Sequence, residues 1–224
     1  SVFLRFPPFS SVFLRFPPFS SVFLRMPSDL KSELRSAMRS RLRALDPRWL
    51  DDASRRLCQS LSALPIWHRV DVLVGYMPIQ QEPSIVPFMR QWLQYSGKPL
   101  CLPRYNAVRR EYGLARIRDL ERDCAVGRYG ILEPREEVLD LEALPPGECA
   151  FLVPGIAFGV DGARIGRGCG YYDRLIGRFA PRHAIGVCWR MQLLPAVSTE
   201  AHDRAMDCIV TEGGVASETP PPAH

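Results

Sequence analysis

The sequence predicts an α/β fold, a mostly parallel sheet covered by helices on both faces in three layers. Three observations carry that prediction. Mainly apolar runs at 70–76, 150–153, 184–188 and 207–211 read as strands buried on both faces. Stretches with apolar residues at helical spacing lie between them. From 150 to 179 the order is apolar run, glycine-rich loop, amphipathic segment, which is the connection a parallel sheet uses. A chain of 224 residues with 46% hydrophobic and 24% charged residues is ordinary for one soluble domain. No apolar run approaches the roughly 18–20 residues needed to span a bilayer.

The chain opens on a decapeptide, SVFLRFPPFS, that occupies 1–10, recurs at 11–20 and starts again at 21–25. Paired prolines forbid continuous helix or central strand there, and Arg and Pro interrupt any signal-peptide core. Residues 1–25 are therefore expected to be disordered and outside the fold, with Met26 as the natural start. An intact N-terminus upstream of Met26 in protein from its native host would overturn that reading. Ser28 is a plausible N-cap, and Leu30, Leu34, Met38, Leu42 and Leu45 follow at helical spacing. Pro47 begins a second helix through Leu61. A strand over 70–76 ends at Met77-Pro78, a helix covers 84–95, and short strands cover 99–102 and 112–117. Residues 119–147 are loop-rich, with Tyr129-Gly130-Ile131-Leu132-Glu133-Pro134 as one ordered piece. After the helix to Phe179 come strands at 184–188 and 207–211. The domain is expected to span 26–214, with a disordered Pro-rich tail at 215–224.

The loop Arg164-Ile165-Gly166-Arg167-Gly168-Cys169-Gly170-Tyr171-Tyr172-Asp173 says most about function. Backbone N–H groups, the positive end of a helix and guanidinium forks together build an anion site. A carboxylate, Asp173, within one turn suits a metal-bound phosphate. The fold is thus Rossmann-like without the dinucleotide fingerprint, because the residue three after Gly168 is Tyr171 and not glycine. The Gly-Lys-Ser/Thr of the common ATPase loop is absent too. The alternative is a tight turn whose glycines only supply positive φ.

Other candidates are individually weaker. Lys31 and Arg35 share a helix face, and only two of the 29 basic residues are lysine, Lys31 and Lys98. They read either as phosphate ligands or as a solvated face. Glu82, between Pro78 and Pro83, either accepts hydrogen bonds from substrate N–H groups or caps the helix near Ser84. Asp203 is a second candidate Mg²⁺ ligand beside Asp173, or an ordinary loop residue. The glycine loop and the 77–82 turn both follow predicted strands, so they can converge at carboxyl ends. Three of the five net positive charges (Arg5, Arg15, Arg25) lie in the repeat, so the remainder carries +2. That suits an anionic small molecule better than nucleic acid. Seven cysteines form no C-x-x-C pair or Cys/His metal spacing, which fits a reducing, cytoplasmic setting.

The glycine loop, preceded by Val153-Pro-Gly-Ile-Ala-Phe158, resembles the signature of the 5-formyltetrahydrofolate cyclo-ligases, the methenyltetrahydrofolate synthetases. Lys31-x-x-x-Arg35, Met77 to Glu82, Tyr129 to Pro134 and His202-Asp203-x-x-Met-Asp207 match the family's other landmarks in order. Cys169 departs from the glycine or lysine expected there. The resemblance covers about 29–212 and implies ATP-dependent conversion of 5-formyltetrahydrofolate to 5,10-methenyltetrahydrofolate, releasing ADP and phosphate. It implies ATP contacts from Lys31, Arg35, Arg164 and Ile165 through Tyr172. Reduced folate would lie on Met77, Glu82 and Arg167 to Tyr171, with Arg167 and Tyr172 catalytic. Mg²⁺ would sit on Asp173 and Asp203. The partners expected are small molecules only, with no nucleic acid and no membrane, acting on a monomer. Two rivals are a sugar-phosphate isomerase-like protein without ATP dependence and a non-catalytic RNA-associated protein of this fold.

Overall fold

The computed structural model describes residues 28–127, 130–197 and 204–218. The repeat at 1–25, Tyr129, Asp203 and the end of the tail lie outside the described residues. In chain order the elements are α1 (Ser28–Arg43), α2 (Pro47–Ser62), β1 (Val70–Val74), α3 (Val86–Tyr95), β2 (Leu100–Asn106) and β3 (Glu111–Ile117). Then come β4 (Cys124–Val126), β5 (Leu132–Pro134), β6 (Asp140–Leu141), β7 (Glu148–Pro154), β8 (Ala157–Gly159) and β9 (Arg164–Ile165). Last are α4 (Tyr171–Phe179), β10 (His183–Val187), β11 (Leu193–Leu194), β12 (Cys208–Thr211) and β13 (Gly214–Glu218).

Eight strands form the main sheet in the order β13-β12-β10-β7-β1-β2-β3-β6. The stretch from β12 to β2 is parallel, while β13, β3 and β6 join antiparallel at the edges. Side chains on β7 alternate between the two faces as the pleat requires. Ala150 and Leu152 pack with α1, α2 and α3 through Met38, Leu57, Leu61, Phe88 and Trp92. Cys149, Phe151 and Val153 face the other way, onto Leu175 and Ile176 of α4. Helices on both faces confirm the three-layer expectation.

Local chemistry sets the boundaries. Asp46 caps α2 by accepting from the Arg48 and Trp49 N–H groups at 2.7 and 3.3 Å, with Pro47 at the first helical position. The second strand outruns the expected 99–102 and continues to Asn106. Its pairing with β1 involves only Leu100 and Cys101, so Pro103 sits where no N–H is needed on that side. Two expectations are corrected. The tail expected from 215 begins as β13, because Gly213 and Gly214 turn the chain back and pair Gly214 with Thr211. The stretch before the glycine loop, read as plain loop, folds into the β8–β9 hairpin, joined by β11.

The path β1–α3–β2 moves toward one edge of the sheet and β7–α4–β10 toward the other. The chain therefore leaves the carboxyl ends of the adjacent strands β1 and β7 in opposite directions. Such a switch point leaves a crevice above the sheet.

Candidate active site

A cavity of about 300 Å³ opens in that crevice, at the small end of the range for ligand sites. The exit from β1 contributes Tyr76, Met77, Ile79 and Glu82, and the exit from β7 contributes Pro154 and Gly155. The glycine loop and the start of α4 supply Arg164, Gly166, Arg167, Cys169, Gly170, Tyr171, Tyr172 and Asp173. The convergence expected from the strand order is present.

Arg167 ties the two halves together. Its Nε donates to Glu82 Oε1 at 3.0 Å, its Nη2 lies 2.9 Å from the same oxygen in an ion pair, and Nη1 donates to Gln80 Oε1 at 3.2 Å. The other Glu82 oxygen accepts the Ile79 N–H at 3.1 Å. Glu82 does not cap a helix: α3 starts at Val86 and has no side-chain cap bond. The Glu82 side chain is only 9% exposed. Burial pushes its carboxyl above the usual carboxylate range, against the pull of Arg167 and the Ile79 N–H. Glu82 is thus the desolvated partner of an ion pair whose guanidinium stays partly exposed.

The first helix is latched onto the same loop. Arg35 Nε donates to the Gly166 carbonyl at 3.0 Å and Arg39 Nη2 to the Arg167 carbonyl at 2.9 Å. Lys31 lies one turn before Arg35 on this helix, so the solvated-face alternative fails for Arg35. With Ser32, Ser36, Arg43 and Arg167, these arginines line a second, basic cavity of about 460 Å³ along α1.

Within the loop, Gly168 and Gly170 have φ of 105° and 63°, which supports the turn-geometry role for these two but not for Gly166. Gly168→Ala is expected to cost roughly 1–3 kcal/mol, since a Cβ there would meet only Arg35 at ordinary contact distance, 3.8–3.9 Å, and only the dihedral objects. Thermal melting with and without ATP checks this; an unchanged melt and unchanged nucleotide stabilisation would contradict it. Gly170 precedes α4 without a side-chain cap bond, which leaves first-turn N–H groups for an anion.

Arg164 is buried and braced, with Nη2 on Asp173 Oδ1 and Nη1 3.4 Å from the Pro154 carbonyl. Ile165 is buried in β9. Cys169 is exposed, and its carbonyl accepts from Arg174 Nη2 at 3.0 Å. Burial also pushes the Tyr172 phenol up, so at neutral pH it is a hydrogen-bond donor and not a base. Tyr112 and Tyr171 meet with ring centroids 4.5 Å apart and form an aromatic wall.

Three contributors were missed at the sequence level. Arg39 carried a signal, being four residues from Arg35 and hence on the same face. Gln192 carried none: it donates to the Gly155 and Ile156 carbonyls at 2.8 and 3.1 Å and stiffens the β7 exit from a distant loop. Glu133 lay in a segment recognised as ordered but given no role. Among the described residues no group of three His, Cys, Asp or Glu side chains forms a ready metal cluster. No helix among them is long and apolar enough to cross a membrane.

The family model for the 5-formyltetrahydrofolate cyclo-ligases matches residues 27–212. The chain is 26% identical over 199 residues to the probable 5-formyltetrahydrofolate cyclo-ligase of Schizosaccharomyces pombe, covering 81% of this chain and 94% of the relative. It is 26% identical over 195 residues to the Mus musculus 5-formyltetrahydrofolate cyclo-ligase, covering 84% and 96%. The solved 5,10-methenyltetrahydrofolate synthetase of Aquifex aeolicus superposes with a TM-score of 0.73 at 29% identity, over 87% of this chain and 95% of that one.

Proposed function

The chain belongs to the 5-formyltetrahydrofolate cyclo-ligase family, and from that membership we propose that it converts 5-formyltetrahydrofolate to 5,10-methenyltetrahydrofolate, consuming ATP and releasing ADP and phosphate. The observation that carries the reading is Arg167, which joins a glycine-rich anion loop to the buried Glu82 across one cavity. Its donors stand between a site for phosphate and a site for a polar ring system.

In the proposed reaction the formyl oxygen attacks the γ-phosphorus, and the bond to the ADP oxygen breaks. The second folate nitrogen then adds to the formyl carbon, the carbon–oxygen bond breaks and phosphate leaves, with that nitrogen's proton passing to solvent. Phosphoryl transfer depends mainly on alignment and charge neutralisation. Lys31, Arg35, Arg167 and the Gly166–Tyr172 backbone supply the positive field for ATP, and Arg164 fixes Asp173. Met77, Glu82 and the loop from Arg167 to Tyr171 contact the folate. The Tyr172 phenol, held neutral, donates a hydrogen bond where the two substrates meet.

Asp173 fits a role toward Mg²⁺. One oxygen is held by Arg164, its side chain is 37% exposed, and a single carboxylate suffices when phosphate oxygens and water complete the shell. Asp203 is proposed as the second carboxylate. When bound, the ion neutralises charge on the phosphates. Asp173→Asn is expected to raise the Mg²⁺ concentration needed for half-maximal rate about tenfold or more, since this ligand count sets affinity. An unchanged Mg²⁺ titration would remove Asp173 from the metal shell.

Both halves of the site come from one chain, which supports action as a monomer. Cys58, Cys101, Cys124, Cys149, Cys169 and Cys188 are free thiols, which supports a reducing compartment such as the cytoplasm. Neither rival reading needs ATP. Folded protein mixed with 5-formyltetrahydrofolate and Mg-ATP is expected to generate the methenyl absorbance, and its absence with well-folded protein would overturn the proposal.

A further inference from the structure

Glu133 is a carboxylate that the proposed reaction does not use. It is 6% exposed, lies on β5 and lines the same cavity as Glu82. Unlike Glu82, it forms no ion pair among the described residues. Its Oε2 accepts the Tyr105 N–H at 3.0 Å, and its Oε1 accepts the Tyr112 hydroxyl at 3.4 Å. A carboxylate offers about four lone-pair sites, so each oxygen keeps acceptor capacity after these bonds. The position is built: a Cβ at Gly127 would lie 3.1–3.3 Å from the Glu133 side-chain atoms, so the absent side chain there makes room for this stem. Beside it stands the aromatic wall of Tyr112 and Tyr171, with Pro103 and Leu132 completing an apolar surround.

A buried anion with spare lone pairs next to ring-sized apolar walls calls for a flat ligand with paired N–H donors on one edge. The 2-amino-4-oxopyrimidine ring of a reduced folate has such an edge, the ring N–H and the adjacent exocyclic NH₂, which a carboxylate takes bidentately. Glu82 is less suited to that edge, because its charge is already matched by the Arg167 guanidinium, while both partners of Glu133 are neutral. We propose that Glu133 is the specificity-determining residue that reads this donor edge of the pterin. It fixes the ring so that the formyl end points at Arg167. The inference rests on the folate reading of the site.

The test compares 5-formyltetrahydrofolate with its 2-desamino analogue on the wild type and Glu133→Gln, in the full chain with saturating Mg-ATP. The wild type is expected to favour the natural substrate by about 10–100-fold in KM, the worth of one charge-assisted contact. Glu133→Gln retains an acceptor for the Tyr105 N–H but turns a donor toward the ring. It is expected to raise KM for 5-formyltetrahydrofolate by a similar factor, leave KM for ATP unchanged and erase the preference over the analogue. A merely structural Glu133 would weaken both folates alike, so a preference that persists in Glu133→Gln overturns the proposal. If Glu133→Gln does not fold, Glu133→Asp replaces it, with a reduced preference expected and an intact one overturning. Wild-type turnover of 5-formyltetrahydrofolate is the separate check on the folate reading, since its absence would sink that reading before the variant is compared.

Discussion

Arg167→Ala is expected to lower turnover at saturating substrates by roughly 10²–10³, the usual cost of removing a donor aimed at developing charge. Arg167 makes three kinds of contact at once, to the Glu82 carboxylate, the Gln80 amide oxygen and, at 3.5 Å, the Ile79 carbonyl. Only a planar fork reaches all three, so Arg167→Lys is expected to recover little of the loss. Deletion also leaves Glu82 buried without its cation, and the variant should melt at a lower temperature. The two effects separate because turnover is read well below the melting transition. A near-normal kcat at saturating ATP and folate would remove Arg167 from the reacting centre.

Glu82→Gln is expected to act in opposite directions on stability and activity. The folded-state pKa of Glu82 is raised, with burial the largest cause. The sign follows from linkage: an acid whose folded pKa lies above its unfolded value binds its proton more tightly when folded. Its carboxylate form therefore opposes folding, and stability falls as pH rises through the window from the ordinary carboxylate range to that raised value. Glutamine removes the penalty, while Arg167, 29% exposed, stays solvated. The variant is expected to melt a few degrees higher near pH 7, with the difference vanishing at pH 4. Its kcat/KM for 5-formyltetrahydrofolate should drop by about 10²-fold, since Arg167 loses its orienting partner. A lower melting temperature at pH 7 with unaltered kcat/KM would contradict both halves. Sites tuned for chemistry often carry such a stability cost.

The parts of this fold that were legible in the sequence are those set by local pattern. Period and apolarity marked β1, β7, β10 and β12, and Pro47 marked the start of α2. The strand–loop–helix order around Gly166–Gly170 placed the site at a carboxyl end, and the following strands made convergence with Met77–Glu82 a natural expectation. What stayed hidden was set by distant partners. Pro103 stopped the reading of β2 because sequence does not show that β1 leaves it unpaired there. The β8–β9 hairpin is two short strands whose glycines resembled those of a loop, and it is this hairpin that buries Arg164. The pairing of Glu82 depended on Arg167, 85 positions away. Gln192 and Glu133 act through pairings with backbone groups far along the chain, and no spacing rule signals that.

The central claim is that one pocket hands the terminal phosphate of ATP to the formyl oxygen. It is tested most directly with 5-formyltetrahydrofolate carrying ¹⁸O in the formyl group, in a single turnover with Mg-ATP. Mass analysis of the released phosphate is predicted to find one ¹⁸O atom per phosphate. Unlabelled phosphate accompanying methenyl product would show that the oxygen leaves by another route and would contradict the account.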